Sequence, residues 1–144
     1  MPVSENARPK VRSAQLIGFA IAFSNVVLAG VLFGLHFAGI MPANGFVEMD
    51  ASVASWLVPI LFVVGLGFIG ASFVMKSAMQ RGAAGASMAP QQRVQTMIVV
   101  LALCDGAGMV GFVAALVTGN LVWPIVLMGL GFGACILHIP LREV

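Results

Sequence analysis

Asp105 carries the most chemical potential in the chain. It lies in Leu101-Ala102-Leu103-Cys104-Asp105, twelve positions after Arg93, the nearest preceding charge. On a helix that separation is about 18 Å of rise, close to the middle of a hydrocarbon layer about 30 Å thick. An ionised Asp at that depth costs about 2.5–3.5 kcal/mol on insertion scales. No Lys or Arg lies midway along any apolar stretch to offset the charge, so desolvation favours the neutral carboxyl. Two uses follow. A carboxyl that is neutral in lipid and ionised beside water or a cation carries H⁺ or Na⁺; one that stays neutral is glue between helices. Ser24 and Asn25 lie about 18 Å of helical rise after Arg12, at the same depth if both segments start from one side. With Ser72 they are the candidate hydrogen-bond partners of the acid, or its oxygen co-ligands if the ion is Na⁺. Protons demand less.

The remaining reactive side chains point to no further site. His36 and His138 fall at opposite ends of their apolar segments, which excludes a shared metal site within one chain, and both read as interfacial. Cys104 and Cys135 sit in different segments at depths several Å apart by residue counting, and read as small buried apolar thiols. No nucleophile–base arrangement is visible, so neither a catalytic residue nor a cofactor is expected. Two GxGxxG strings occur, Gly65–Gly70 and Gly106–Gly111. A dinucleotide site needs an acid about 20 residues further on to hold the ribose. Between Asp50 and Asp105 there is neither Asp nor Glu.

The elements that must position these residues are read from composition. Of 144 residues 60% are hydrophobic and 8% charged, with mean hydropathy +1.07. Soluble domains carry about 25% charged residues, so this chain cannot coat a soluble globule. A soluble enzyme, a disordered segment and a nucleic-acid binder are excluded, and two cysteines in apolar runs exclude a disulfide scaffold. Four apolar stretches, 14–40, 52–76, 94–118 and 121–139, approach or exceed the roughly 20 residues that cross a bilayer as a helix. The expected fold is an all-α membrane protein, with four transmembrane helices over residues 14–144 and a basic N-terminal segment at 1–13. The first stretch is too long for the h-region of a signal peptide, about 7–15 residues, and reads as a retained helix.

Charge gives the orientation. Arg8, Lys10 and Arg12 precede the first span, Lys76, Arg81 and Arg93 surround the second loop, and Arg142 ends the chain. All seven fall on one side if the spans alternate, and the positive-inside rule makes that side cytoplasmic. Both termini are then cytoplasmic, and residues 81–92 form a cytoplasmic loop. Glu48, Asp50, Trp56 and Trp123 fall on the outer side. The expected location is a membrane crossed several times, a bacterial inner membrane by this charge pattern.

The four spans pair by internal similarity. Val58-Pro59-Ile60-Leu61 and Gly65-Leu66-Gly67-Phe68 reappear as Trp123-Pro124-Ile125-Val126 and Gly129-Leu130-Gly131-Phe132, with one residue of slippage. A register that sets Ser24 on Asp105 also sets Gly30 on Gly111 and Leu35 on Leu116. Two readings stay open, a duplicated helical pair and the general likeness of apolar Gly-rich helices. The glycines themselves read as helix-packing positions: Gly65, Gly67 and Gly70 in the second span, Gly129, Gly131 and Gly133 in the fourth, and the Gly30/Gly34 GxxxG in the first. Lipid gives helices no hydrophobic drive to associate, so close contact must supply it. Seventeen glycines fit crowded helices in a ring or another tight oligomer.

From Gly65 to Asn120 the chain resembles the proteolipid c subunits of rotary ATPases. Gly65–Gly70 looks like their Gly-repeat and Ala89-Pro90-Gln91-Gln92-Arg93 like their polar loop. Leu101–Asp105 with Gly111-Phe112-Val113 is similar to the segment around their ion-carrying acid. The acid here is Asp where that family more often has Glu, and the hairpins stand in permuted order. The resemblance implies a tandem-duplicated four-helix proteolipid in which Asp105 serves all four helices, with Ser24 in the vacant counterpart. The expected function is a membrane subunit that packs with its own copies and carries H⁺ (or Na⁺) on Asp105. The alternatives are a structural or assembly subunit in which Asp105 is neutral glue, and a small channel or transporter with Ser24, Asn25 and Asp105 at its midpoint. Lipids and other membrane subunits are the expected partners, and nucleic acid is not.

Overall fold

The computed structural model describes residues 8–83 and 90–139. Among these there are four helices, α1 (Arg8–Phe37), α2 (Ala51–Ala83), α3 (Pro90–Thr118) and α4 (Val122–His138), and no strand. Three are long and apolar enough to cross a membrane; α4, with 17 residues, is at the lower end of the spanning range. The all-helical membrane fold expected from composition is therefore what forms.

The helix limits differ from the apolar limits. Basic and polar residues end an apolar run without ending a helix, so α1 starts at Arg8 and takes Arg8, Lys10 and Arg12 into its first turns. Likewise α2 continues through Lys76 and Arg81 to Ala83, and α3 opens on Pro90. Proline is suited to a first helical position, where its missing N–H has no helical partner to lose. The loop expected at 81–92 is shortened accordingly; its centre, 84–89, lies outside the described residues, as do residues 1–7 and 140–144. At its other end α1 stops at Phe37, short of the apolar limit at Ile40. Gly39 takes φ 67°, and Ile40 N–H donates back to Leu35 C=O. This is a glycine-closed helix end.

Helix α3 is the centre of the bundle. It packs against α1, α2 and α4, and α4 also touches both outer helices, but α1 and α2 do not touch each other. The first pair of the duplication reading is thus adjacent in the chain and apart in space. Burial follows the same order: 39% of the apolar window of α3 is covered, against 22% for α1 and 11% for α2. The uncovered sides of α1 and α2 carry large apolar side chains such as Phe23, Val27, Val63 and Val74. A soluble protein rarely exposes so continuous an apolar surface, whereas lipid solvates it.

The connector at 38–50 carries the chain from one flank to the other, across the end of α3. Phe46 N–H donates to Leu116 C=O at 2.7 Å, satisfying one carbonyl of the last turn. The crossing is backbone on backbone. Gly45 (φ 81°) faces the Val117 carbonyl, and Gly119 (φ 69°) faces the Ala43 carbonyl. A Cβ at either position would collide with the other strand of chain. Below this crossing lie two core clusters. Leu32, Met41, Ala115 and Met128 fill the end under the connector, and Ala22, Leu101, Cys104, Ala134, Cys135 and Ile139 fill the other, basic end.

Candidate functional site

Two polar seams run through this apolar bundle. The first joins α1 to α3. Ser24 and Asn25 come from mid-α1 and Asp105 from mid-α3, so equal distance from the basic ends does bring them together. Ser24 Oγ lies 2.5 Å from Asp105 Oδ1, and Asn25 Nδ2 donates to the same oxygen at 3.1 Å. Ser24 Oγ is also 2.7 Å from the Ile21 carbonyl one turn back. Asn25 is 2% exposed. It is fully seated because Gly108, one turn after Asp105, leaves a notch in α3. A Cβ at Gly108 would coincide with Asn25 Oδ1. That oxygen has no hydrogen-bond partner among the described residues.

A hydroxyl has one proton to give, and Ser24 Oγ faces two acceptors. If Asp105 is ionised, Ser24 donates to Oδ1. If Asp105 carries a proton on Oδ1, that O–H donates to Ser24 Oγ, and Ser24 turns its own proton to Ile21 C=O. Each charge state of the carboxyl thus has a satisfied hydrogen-bond pattern without moving a heavy atom. The Asn25 amide, presenting its N–H₂ side, suits a carboxyl in either state. It does not present an oxygen to a cation lodged on Oδ1.

The second seam joins α2, α3 and α4. Here the structure adds three things to the sequence expectations. Ser72, expected beside Asp105, is not there. It is on α2, which packs against α3, but its hydroxyl is turned away from the acid, donating to Ile69 C=O at 2.6 Å while lying 3.4 Å from His138 Nε2. His138, expected at the interface, is 5% exposed. Ser72 and Phe73 of α2 lie against it, Phe73 meeting its ring edge-to-face at 4.6 Å between centroids. The two cysteines, expected at separate depths, are neighbours. Cys104 and Cys135 are both fully buried and share a core cluster, where Cys135 Sγ lies 3.8 Å from the Leu101 carbonyl. Counting depth along four helices from four separate starts carries too much error to place two thiols against each other.

The packing glycines divide into two sets. Gly65 lies against Leu127, and a Cβ on Gly131 would come within 2.8 Å of the Cys104 carbonyl, so these two let α4 close on α2 and α3. Gly30, Gly34, Gly67, Gly70, Gly129 and Gly133 have open space where a Cβ would stand. They face outward from this chain. His36 is exposed at the far end of α1. Among the described residues no three His, Cys, Asp or Glu side chains form a group able to hold a metal. A recess of about 470 Å³ beneath the connector is lined by Asn44, Ser55, Thr118 and Asn120 together with apolar neighbours, and no acid or base lines it. Glu48 and Asp50 line a separate recess of about 720 Å³ along the connector, while Asp105, Cys104, Cys135 and His138 belong to the two seams. No family model, curated protein or solved structure matches the chain.

Proposed function

We propose that this membrane protein is a proteolipid-like subunit that carries H⁺ on Asp105 and assembles through its outward-facing glycine surfaces, with its own copies or with other membrane subunits. The positive-inside rule puts the Lys76/Arg81 end at the cytoplasm. One observation carries the reading: Ser24 Oγ stands between Asp105 Oδ1 and Ile21 C=O, able to serve either charge state of the acid. A carrier must hold its group both loaded and empty, and a purely adhesive contact needs one state only. The hydrogen-bond partners of the carboxyl are neutral, and among the described residues it has no ion pair. The amide orientation of Asn25 favours H⁺ over Na⁺.

A second reading has its own support. Asn25 locks into the Gly108 notch as tightly as a structural bridge would, and Asp105 could serve only to hold α1 on α3. A water-soluble or lipid-soluble carbodiimide separates the two, because it attacks protonated carboxyls. Under the carrier reading Asp105 is modified selectively, less so as pH rises, and Asp105→Asn abolishes labelling while the protein still assembles. An Asp105 that is inert at every pH, with an Asn variant that merely loosens the fold, leaves the structural subunit standing.

A further inference from the structure

Contacts at three levels hold α2 to α4, and one of them can change charge. Near the connector Phe62 meets Trp123 edge-to-face at 5.6 Å between centroids. At mid-length Gly65 lies against Leu127. At the basic end Ser72 and Phe73 of α2 lie against His138 of α4, and the Lys76 ammonium donates to the Leu137 carbonyl at 3.0 Å. The first two contacts are apolar and indifferent to pH. The third includes an imidazole, the side chain whose ordinary charge change falls between about pH 5 and 8.

The surroundings of His138 suit the neutral ring. Ser72 gives its only proton to Ile69 C=O, so across the 3.4 Å contact the imidazole is the donor, through Nε2. Nδ1 is buried and has no hydrogen-bond partner among the described residues. A neutral ring tolerates this, because Nδ1 is then a bare lone pair. An imidazolium carries a second N–H, at Nδ1. In a residue only 5% exposed that donor would be sealed from water. The new charge would also lie close to the Lys76 ammonium, held on the carbonyl of the preceding residue. The titratable groups on the helices packed around His138 are Lys76 on α2, Cys104 and Asp105 on α3, and Cys135 on α4 itself. Asp105, the one acid among them, is engaged by Ser24 and Asn25 at the other seam.

We infer that His138 is a pH-operated latch on α2. With the ring neutral, the basic end of α2 lies closed on α4. With the ring protonated, that end swings away so that the Nδ1 proton reaches water, and the Gly65–Leu127 and Phe62–Trp123 contacts serve as the hinge. The latch covers the cysteine cluster. Cys104 and Cys135 are fully buried, and Ile69 of α2 packs against the cluster that contains them. Opening lifts Ile69 and admits solvent to both thiols. The latch works in the same way whether or not Asp105 carries a proton.

The test is thiol accessibility of the full chain in lipid nanodiscs, read with dipyridyl disulfide. The rate at each pH is divided by that of the unfolded chain, which removes the pH dependence of the thiol itself. The latch predicts that this ratio rises by about tenfold or more from about pH 8 to about pH 5, the scale of relieving one buried unmatched donor. His138→Phe, which keeps an aromatic ring against Phe73, holds the closed value throughout. Lys76→Gln keeps the rise and moves it to higher pH, because one repelling charge is gone. Asp105→Asn leaves the rise where it is. Nitrogen-15 NMR in a His36→Gln background, where His138 is the only histidine, places protonation of the ring at the same pH as the rise without altering the latch. A flat ratio in wild type overturns the latch. So does a rise that persists in His138→Phe, or one that does not coincide with protonation of the ring. A rise lost in Asp105→Asn also overturns it and assigns the motion to the carrier seam.

Discussion

The two polar seams differ in how completely their partners are matched. At the α1–α3 seam a serine and an asparagine converge on one carboxyl oxygen at 2.5 and 3.1 Å, and a glycine notch receives the asparagine. At the α2–α4 seam a serine and a histidine meet at 3.4 Å, and one ring nitrogen is left over. The first is closely matched and the second loosely. In lipid a polar contact between helices contributes about 0.6 kcal/mol on average and up to about 1.7 kcal/mol. Steric fit can therefore outweigh it at the first seam, while the loose geometry of the second leaves little to lose.

The largest effect should come from closing the notch. Gly108→Val drives two methyl groups and a Cβ into the space of Asn25, and overpacking of this kind costs about 1–3 kcal/mol, occasionally more. Reversible unfolding in bicelles should show a loss at the top of that range, together with loss of the Ser24–Asp105 contact. Wild-type stability in this variant would mean that α1 does not seat on α3 as described. Next comes Asn25→Ala. It removes one donor from Asp105 and opens a small void, for an expected loss of about 1–2 kcal/mol. Ser72→Ala is the matched change in the other seam and should cost less than about 1 kcal/mol in the same assay. Equal losses for the two would erase the contrast between the closely and the loosely matched seam. The smallest change in monomer stability belongs to Gly67→Leu and Gly70→Leu, where an added side chain meets open space. Neither should move the unfolding midpoint of the isolated chain. Native mass spectrometry should show them reducing the oligomer, if the outward glycines are where subunits meet. Unchanged assembly would assign that surface to lipid.

How far the sequence carried depends on what kind of information each feature needs. Depth is one-dimensional and can be counted, so Ser24, Asn25 and Asp105 were legible as a set from their distances to the preceding basic residues. The carboxyl was conspicuous because charge in hydrocarbon is costly and therefore rare. Facing direction is another matter. Ser72 has a suitable depth, but its hydroxyl is turned to Ile69 and His138, and no count of residues reveals which way a side chain faces or which helices touch. That pairing is set by the connector crossing over α3, which depends on two left-handed glycines, Gly45 and Gly119, seated against each other's backbone. The burial of His138 was hidden for a similar reason. A residue near the end of an apolar run shows its depth in the sequence, but not the neighbouring side chains, here Ser72 and Phe73 of α2, that cover it. The glycines were rightly singled out as small surfaces, but whether a small surface faces its own chain or the outside is a matter of azimuth, and only Gly65 and Gly131 of those named for packing face inward.

The central claim is that Asp105 exists in two charge states within the membrane, both served by Ser24. Infrared titration of the chain in vesicles, with carbon-13 in the aspartate carboxyls and Asp105→Asn as the reference, tests it most directly. The account predicts a neutral carboxyl band, absent from the Asn variant, that gives way to a carboxylate band as pH rises, with Ser24→Ala shifting the midpoint and Ser24→Thr restoring it. A single charge state across the whole accessible pH range, unmoved by either serine variant, would contradict it.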